Sequence, residues 1–120
     1  MPEKAPLRIL LVEDESIIAM DLESTLEQAG YAIAGLANRL KSAMAAASEC
    51  EFDMAILDVN LAGNVVFPVA DLLRPRALPF VFLTGYGNDI LPERFQDCAV
   101  IRKPYSKRGL VQLVGEIGRG

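Results

Sequence analysis

Four short apolar runs in this 120-residue chain each end on a side chain able to do chemistry. LRILLV runs into Glu13, Asp14 and Glu15, and DMAIL into Asp58. PFVFL runs into Thr84, and CAVIR into Lys103 and Pro104. Singly, each has an ordinary explanation: an acid after a strand serves a turn or helix cap, and a lysine before proline sits in a solvated turn. Together they compose a site. Glu13, Asp14 and Asp58 would put about three negative charges in one pocket, which repel unless a cation sits among them. An all-oxygen donor set favours Mg²⁺ or Mn²⁺. Such an ion keeps some waters and can also hold a phosphate oxygen. One carboxylate is then free to attack phosphorus, giving an acyl phosphate. A phosphoryl group in transfer carries charge on its equatorial oxygens and is stabilised by a metal, an ammonium and a hydroxyl. Asp58, a cation, Lys103 and Thr84 make up that set.

Composition removes the competing chemistries. The chain has no histidine, so Ser-His-Asp and Cys-His catalysis and a Cys/His zinc site are excluded. Cys50 and Cys98 are far apart and read as buried free thiols, as in a reducing cytoplasm. With 12 basic and 16 acidic residues the net charge is −4, against a broad nucleic-acid footprint. Hydrophobic residues at 52% and charged residues at 23% fit an ordinary folded domain. No apolar run approaches the roughly 18 residues of a membrane span. The first residues, MPEKAPLRILLVEDE, meet acids too soon for a signal peptide, so a cytoplasmic location is expected. One domain over residues 7–120, preceded by a tail at 1–6, suits the length.

The elements that must bring those residues together follow from pattern. Residues 7–12, 53–59, 79–83 and 98–102 are apolar enough to be buried strands, and 31–36 (YAIAGL) forms a weaker one. Helical spacing is read over 16–29, ended by Gly30, and over the alanine-rich 39–49. A helix over 64–73 tolerates Pro68 in its first turn, and Ser106 caps a final helix with Leu110, Leu113, Val114 and Ile117 inward. Residues 85–97 contain Gly85, Gly87 and Pro92, so only one or two turns are expected there, near 92–95, and 85–95 reads as the mobile segment. The order βαβαβαβαβα predicts a doubly wound α/β fold: a five-stranded parallel sheet, flavodoxin-like (βα)5, with a short or dynamic fourth helix. In such sheets, sites form beyond the carboxyl ends of the strands, where all the named residues fall.

On LLVEDE, AILDVNL, FLTG and KPY, the chain resembles the receiver domain of two-component response regulators from its first strand to its last helix. The resemblance implies that Asp58 is the phosphoacceptor. It implies that Asp14, Asp58 and the carbonyl of Asn60 hold Mg²⁺, with Glu13 acting through water. Lys103 would contact the phosphoryl group, Thr84 would be the switch hydroxyl, and the Lys103–Pro104 peptide would be cis. The donor would be a sensor histidine kinase or a histidine phosphotransfer protein. The receiver would catalyse only its own phosphorylation and dephosphorylation.

Two departures from the usual receiver pattern matter. The position three residues before the lysine, usually aromatic, is Val100, which makes Tyr86 or Tyr105 the switch candidates. PFVFLTGYG with KPY looks like a variant subgroup named for a Phe-Ala-Thr-Gly-Tyr motif, with Leu83 in place of the alanine. Its members are often stand-alone receivers, paired with kinases of the HWE or related families. Two other readings compete: a metal-dependent phosphatase or phosphotransferase with an Asp nucleophile, and a receiver-like binding module that is never phosphorylated. Haloacid-dehalogenase-like enzymes need a second aspartate two residues after the nucleophile, where this chain has Asn60. No GxGxxG is present for a dinucleotide.

Overall fold

The computed structural model describes residues 6–85 and 90–118. The elements run β1 (Arg8–Val12), α1 (Ser16–Gln28), β2 (Ala32–Ala37), α2 (Leu40–Glu49) and β3 (Met54–Asp58). A short hairpin follows, β4 (Asn60–Leu61) and β5 (Asn64–Val65), then α3 (Phe67–Leu73) and β6 (Phe80–Thr84). A 3₁₀ turn (Glu93–Phe95), β7 (Val100–Arg102) and α4 (Lys107–Gly118) complete the chain. The main sheet has five parallel strands in the order β2-β1-β3-β6-β7. This is the doubly wound, flavodoxin-like fold read from the element order.

The central strands are apolar on both faces because both faces are covered. Leu10, Val12, Ala55, Leu57, Phe80 and Phe82 enter one core, together with residues of α2, α3 and the 3₁₀ turn. The alternate positions Ile9, Leu11, Met54, Ile56, Val81 and Leu83 enter the other, against α1 and α4. This is the period-two alternation of a strand feeding two layers. Gly30, at φ +97°, ends α1 in a conformation that costs glycine little. Ser106 accepts a hydrogen bond from the Gly109 amide at 3.0 Å and caps α4 as expected.

The third helix begins at Phe67, not Asn64. Asn64–Val65 instead pairs antiparallel with Asn60–Leu61. The two-residue turn between them has Ala62 at φ +50° and Gly63 at φ +90°, the left-handed pair of a type I′ hairpin. Pro68 lies in the first turn of the shortened helix, where no amide is missed. In the fourth crossover, the described helical structure at 93–95 is a single 3₁₀ turn, matching the low helix propensity around Pro92. Tyr86 and the remainder of 86–89 lie outside the described residues. The 3₁₀ turn is held firmly at its end. Phe95 is fully buried, edge-on to Phe82 at 5.4 Å and to Phe80 at 6.0 Å, and stacked on Phe67 at 5.8 Å. The free thiols of Cys50 and Cys98 are half-buried rather than fully enclosed.

Candidate functional site

The register of the sheet extends one residue past each strand and places the polar residues. The Glu13 amide donates to the Ala37 carbonyl at 3.0 Å, the Val59 amide to Leu83 at 3.0 Å, and the Lys103 amide to Thr84 at 2.8 Å. Parallel pairing therefore carries the backbone of β1, β3 and β7 up to the site before the chain turns away. Glu13, Asp58 and Thr84 are buried, at 1%, 4% and 3% exposure, although polar side chains rarely are. Asp14 is half-buried and Glu15 exposed.

The Lys103 ammonium reaches both buried acids. It lies 3.3 Å from Asp58 Oδ2 and 3.5 Å from Glu13 Oε1. The Lys103–Pro104 peptide is cis. Asp58 Oδ1 also accepts the Asn60 amide at 3.3 Å. Glu13 Oε1 accepts the Glu15 amide at 3.4 Å, but Glu13 Oε2 is buried with no hydrogen-bond partner among the described residues. Glu13, Asp14 and Asp58 each present an oxygen within 4.8 Å of the others.

One ammonium cannot balance this cluster, and the ionisation equilibria record the strain. Burial pushes the Glu13 carboxyl up to about 8, and the negative charge of the adjacent Asp58 adds to the shift. Burial raises Asp58 as well, opposed by the Lys103 ammonium and the Asn60 amide. Burial would lower the Lys103 ammonium, but the Asp58 and Glu13 carboxylates outweigh it and hold it above its ordinary range. The arrangement fits a hard divalent cation. It has oxygen donors only, a surplus of negative charge, and one buried carboxylate oxygen still unsatisfied. The cleft above these groups, about 390 Å³, is also lined by Val65, Gly85 and Ile90.

The structure thus gathers Glu13, Asp14, Asp58, Asn60, Thr84 and Lys103 at one edge. Tyr105 lies outside that cleft. Its hydroxyl donates to Asp21 Oδ2 on α1 at 2.8 Å, and burial together with that bond raises the phenol's pKa. Lys107 approaches the same carboxylate at 3.5 Å. Two features of the neighbourhood escape a sequence reading. Asp21 anchors Tyr105 from 84 residues away. The hairpin tip touches the site directly, the Ala62 amide donating to Asp14 Oδ2 at 2.9 Å. A glycine closing a two-residue turn between Leu61 and Asn64 was the signal available for the second.

Residues 9–115 match the family model described as the response regulator receiver domain. The chain is 34% identical over 112 residues to the phyllosphere-induced regulator PhyR of Methylorubrum extorquens, covering 90% of this chain and 42% of that protein. It is 32% identical over 113 residues to the transcriptional regulatory protein PdtaR of Mycobacterium tuberculosis, covering 91% of this chain and 55% of that one. The chain therefore spans about half the length of the curated relatives it matches. The solution structure of SdrG from Sphingomonas melonis Fr1 superposes with a TM-score of 0.83 at 39% identity, covering 96% of this chain and 98% of that one. The chain belongs to the response regulator receiver domain family, a signalling module of two-component systems.

Proposed function

We propose that Asp58 is the phosphoacceptor of this receiver, that Lys103 and Thr84 attend the phosphoryl group, and that Mg²⁺ is the resident cation. The observation that carries the reading is the meeting of Lys103 with Asp58 at 3.3 Å inside a cluster of three carboxylates. Asp14, Asp58 and the Asn60 carbonyl would hold the cation, with Glu13 acting through water. When bound, the cation neutralises charge on the phosphoryl oxygens and on the carboxylates.

The remaining work belongs to the chain's own groups. An Asp58 carboxylate oxygen attacks phosphorus, the bond from phosphorus to the donor imidazole nitrogen breaks, and the imidazole leaves with its electron pair. The Asn60 amide and the Lys103 ammonium, already bonded to opposite oxygens of Asp58, orient the carboxylate. Lys103 can follow the charge onto the phosphoryl oxygens as it develops. Thr84, at the adjoining strand end, offers its hydroxyl to the product. Water later attacks the acyl phosphate and releases inorganic phosphate, restoring Asp58.

The donor class is a phosphohistidine on a sensor kinase, of the HWE or a related family, or on a phosphotransfer protein. With val-for-aromatic exchange at Val100, the switch would act through Thr84 and the backbone that follows it, with Tyr86 and Tyr105 as the aromatic candidates. Incubation with a small-molecule phosphodonor and Mg²⁺ tests the assignment by intact-protein mass. One phosphoryl group should be added to the native chain and none to Asp58→Asn, whose amide is a poor nucleophile. Full labelling of Asp58→Asn would refute the role of Asp58.

A further inference from the structure

The hairpin that follows the phosphoacceptor strand is more than a connection. It starts two residues after Asp58 and folds back, with the Val66 amide donating to the Val59 carbonyl at 2.9 Å. Its turn is closed from within, since Asn60 Oδ1 accepts the Gly63 amide at 3.0 Å. Its tip makes a bond across the cleft, from the Ala62 amide to Asp14 Oδ2 at 2.9 Å, spanning 48 residues of sequence. Ala62 holds φ +50° to do so, a conformation that alanine resists. A glycine or asparagine there would form the same turn more easily.

We infer that the β4–β5 hairpin is a positioning device for the cation ligand Asp14: the tip amide of Ala62 takes one carboxylate oxygen and leaves the other turned to the cation. This rests on the reading of the carboxylate cluster as a cation site. Asp14 is the least buried of the three acids, so its side chain has the most freedom to lose when it coordinates. A fixed hydrogen bond removes part of that freedom in advance and raises cation affinity. Linkage makes the effect reciprocal: a bound cation fixes Asp14 and thereby closes the hairpin tip. Because β4 begins next to Val59, this couples cation occupancy to the backbone immediately after the phosphoacceptor.

The test is a Mg²⁺ titration of the full chain followed by amide NMR and amide hydrogen exchange, with no phosphodonor present. Saturating Mg²⁺ should slow exchange at Ala62 by about threefold or more. Gly63→Ala loads the turn without a clash, since a Cβ there meets nothing within 4 Å and the cost is its φ of +90°. That variant should bind Mg²⁺ about three- to tenfold more weakly, with the melting temperature lowered by several degrees from the turn strain. Ala62→Asn, which suits a type I′ turn, should bind Mg²⁺ more tightly than the native chain, and it carries the test alone if Gly63→Ala fails to fold. Asp14→Asn keeps an acceptor oxygen and should retain cation-free protection at Ala62, whereas Asp14→Ala should lose it. If Mg²⁺ shifts the Asp58, Asn60 and Lys103 signals while exchange at Ala62 is unchanged or faster, the coupling is wrong and the cation site stands. Native Mg²⁺ affinity in both turn variants would equally overturn the coupling. If Mg²⁺ shifts none of these signals, the cation reading falls and the coupling with it.

Discussion

The cleft at the carboxyl ends of the strands and the aromatic cluster beneath it on one face of the sheet are built by opposite rules. In the cluster, Phe67, Phe80, Phe82 and Phe95 meet at ring separations of 5.4–6.0 Å, edge-on or stacked, with the Arg74 and Arg94 guanidinium groups over the Phe95 ring at 5.0 and 4.6 Å. Among the described residues, no buried polar side-chain atom there lacks a partner. In the cleft, among the described residues, three acids face one ammonium, and a buried carboxylate oxygen lacks a partner. Packing stabilises the fold in the first region. In the second, the fold crowds like charges that a bound cation would relieve. β6 joins the two, carrying Phe80 and Phe82 into the cluster and Thr84 to the cleft.

The contrast implies that damage to each region should show in a different measurement. Lys103→Ala removes the only ammonium paired with both buried acids among the described residues. Labelling by a small-molecule phosphodonor should slow by about 100-fold or more, as when a preorganised charge stabiliser is lost. A loss below a few-fold would show that Lys103 is only structural. Phe95→Ala should act the other way round. It empties a fully buried site and should cost about 3–5 kcal/mol in denaturant unfolding. At low temperature, where the variant is still folded, its labelling rate should stay near native. If labelling collapsed while folding held, the two regions would not be separable.

Glu13→Gln sharpens the comparison through pH. Glu13 is raised from 4.5 to about 8 in the folded chain. Between those values the folded chain holds a proton that the unfolded chain has lost. Stability without a cation is therefore highest below about pH 4.5 on this account, falls as pH rises to about 8, and levels beyond it. Asp58, also raised, adds to the same trend. Melting curves of Glu13→Gln should decline less over that window. In the native chain, the gain in melting temperature on adding Mg²⁺ should be larger at pH 8 than at pH 6, since the cation replaces a proton at the lower pH. An equal gain at both pH values would contradict the burial of Glu13 as an uncompensated acid. The smallest effect is expected from Arg94→Gln. Arg94 bonds Asp71 through both carboxylate oxygens at 2.9 and 3.0 Å, but in an exposed setting. The melting temperature should fall slightly, and the difference should vanish in high salt.

What was legible in the sequence follows the same division. Strands β1, β3 and β6 are continuous apolar runs because both faces are covered, so they and the residues ending them could be read directly. The collection of Glu13, Asp14, Asp58, Thr84 and Lys103 at one edge followed from parallel topology alone. The hairpin was hidden for a local reason. Each of its strands has only two residues, too few for a period, and alanine at a left-handed turn position disguises the Asn-Gly type of signal. The inner face read for the following helix, Val69, Leu72 and Leu73, does not fix where that helix starts. Tyr105 could be singled out beside the cis peptide, but its partner Asp21 lies on a distant helix, and no spacing rule connects them. The degree of burial of Glu13 was equally invisible, because it depends on the tertiary packing around the end of β1.

The central claim is that the phosphoryl group is carried by the acid at the end of β3 and by no other acid of the cluster. The most direct measurement is chemical trapping of the labelled protein. Borohydride reduces an aspartyl phosphate to homoserine: a first hydride at the carbonyl carbon expels phosphate and leaves the aldehyde, and a second hydride with a proton from water gives the alcohol. Peptide mass mapping after labelling in Mg²⁺ should then find homoserine at position 58, with Glu13 and Asp14 unchanged. Reduction at Asp14 or Glu13, or a phosphoryl group that survives borohydride on a hydroxyl such as Thr84, would contradict the account.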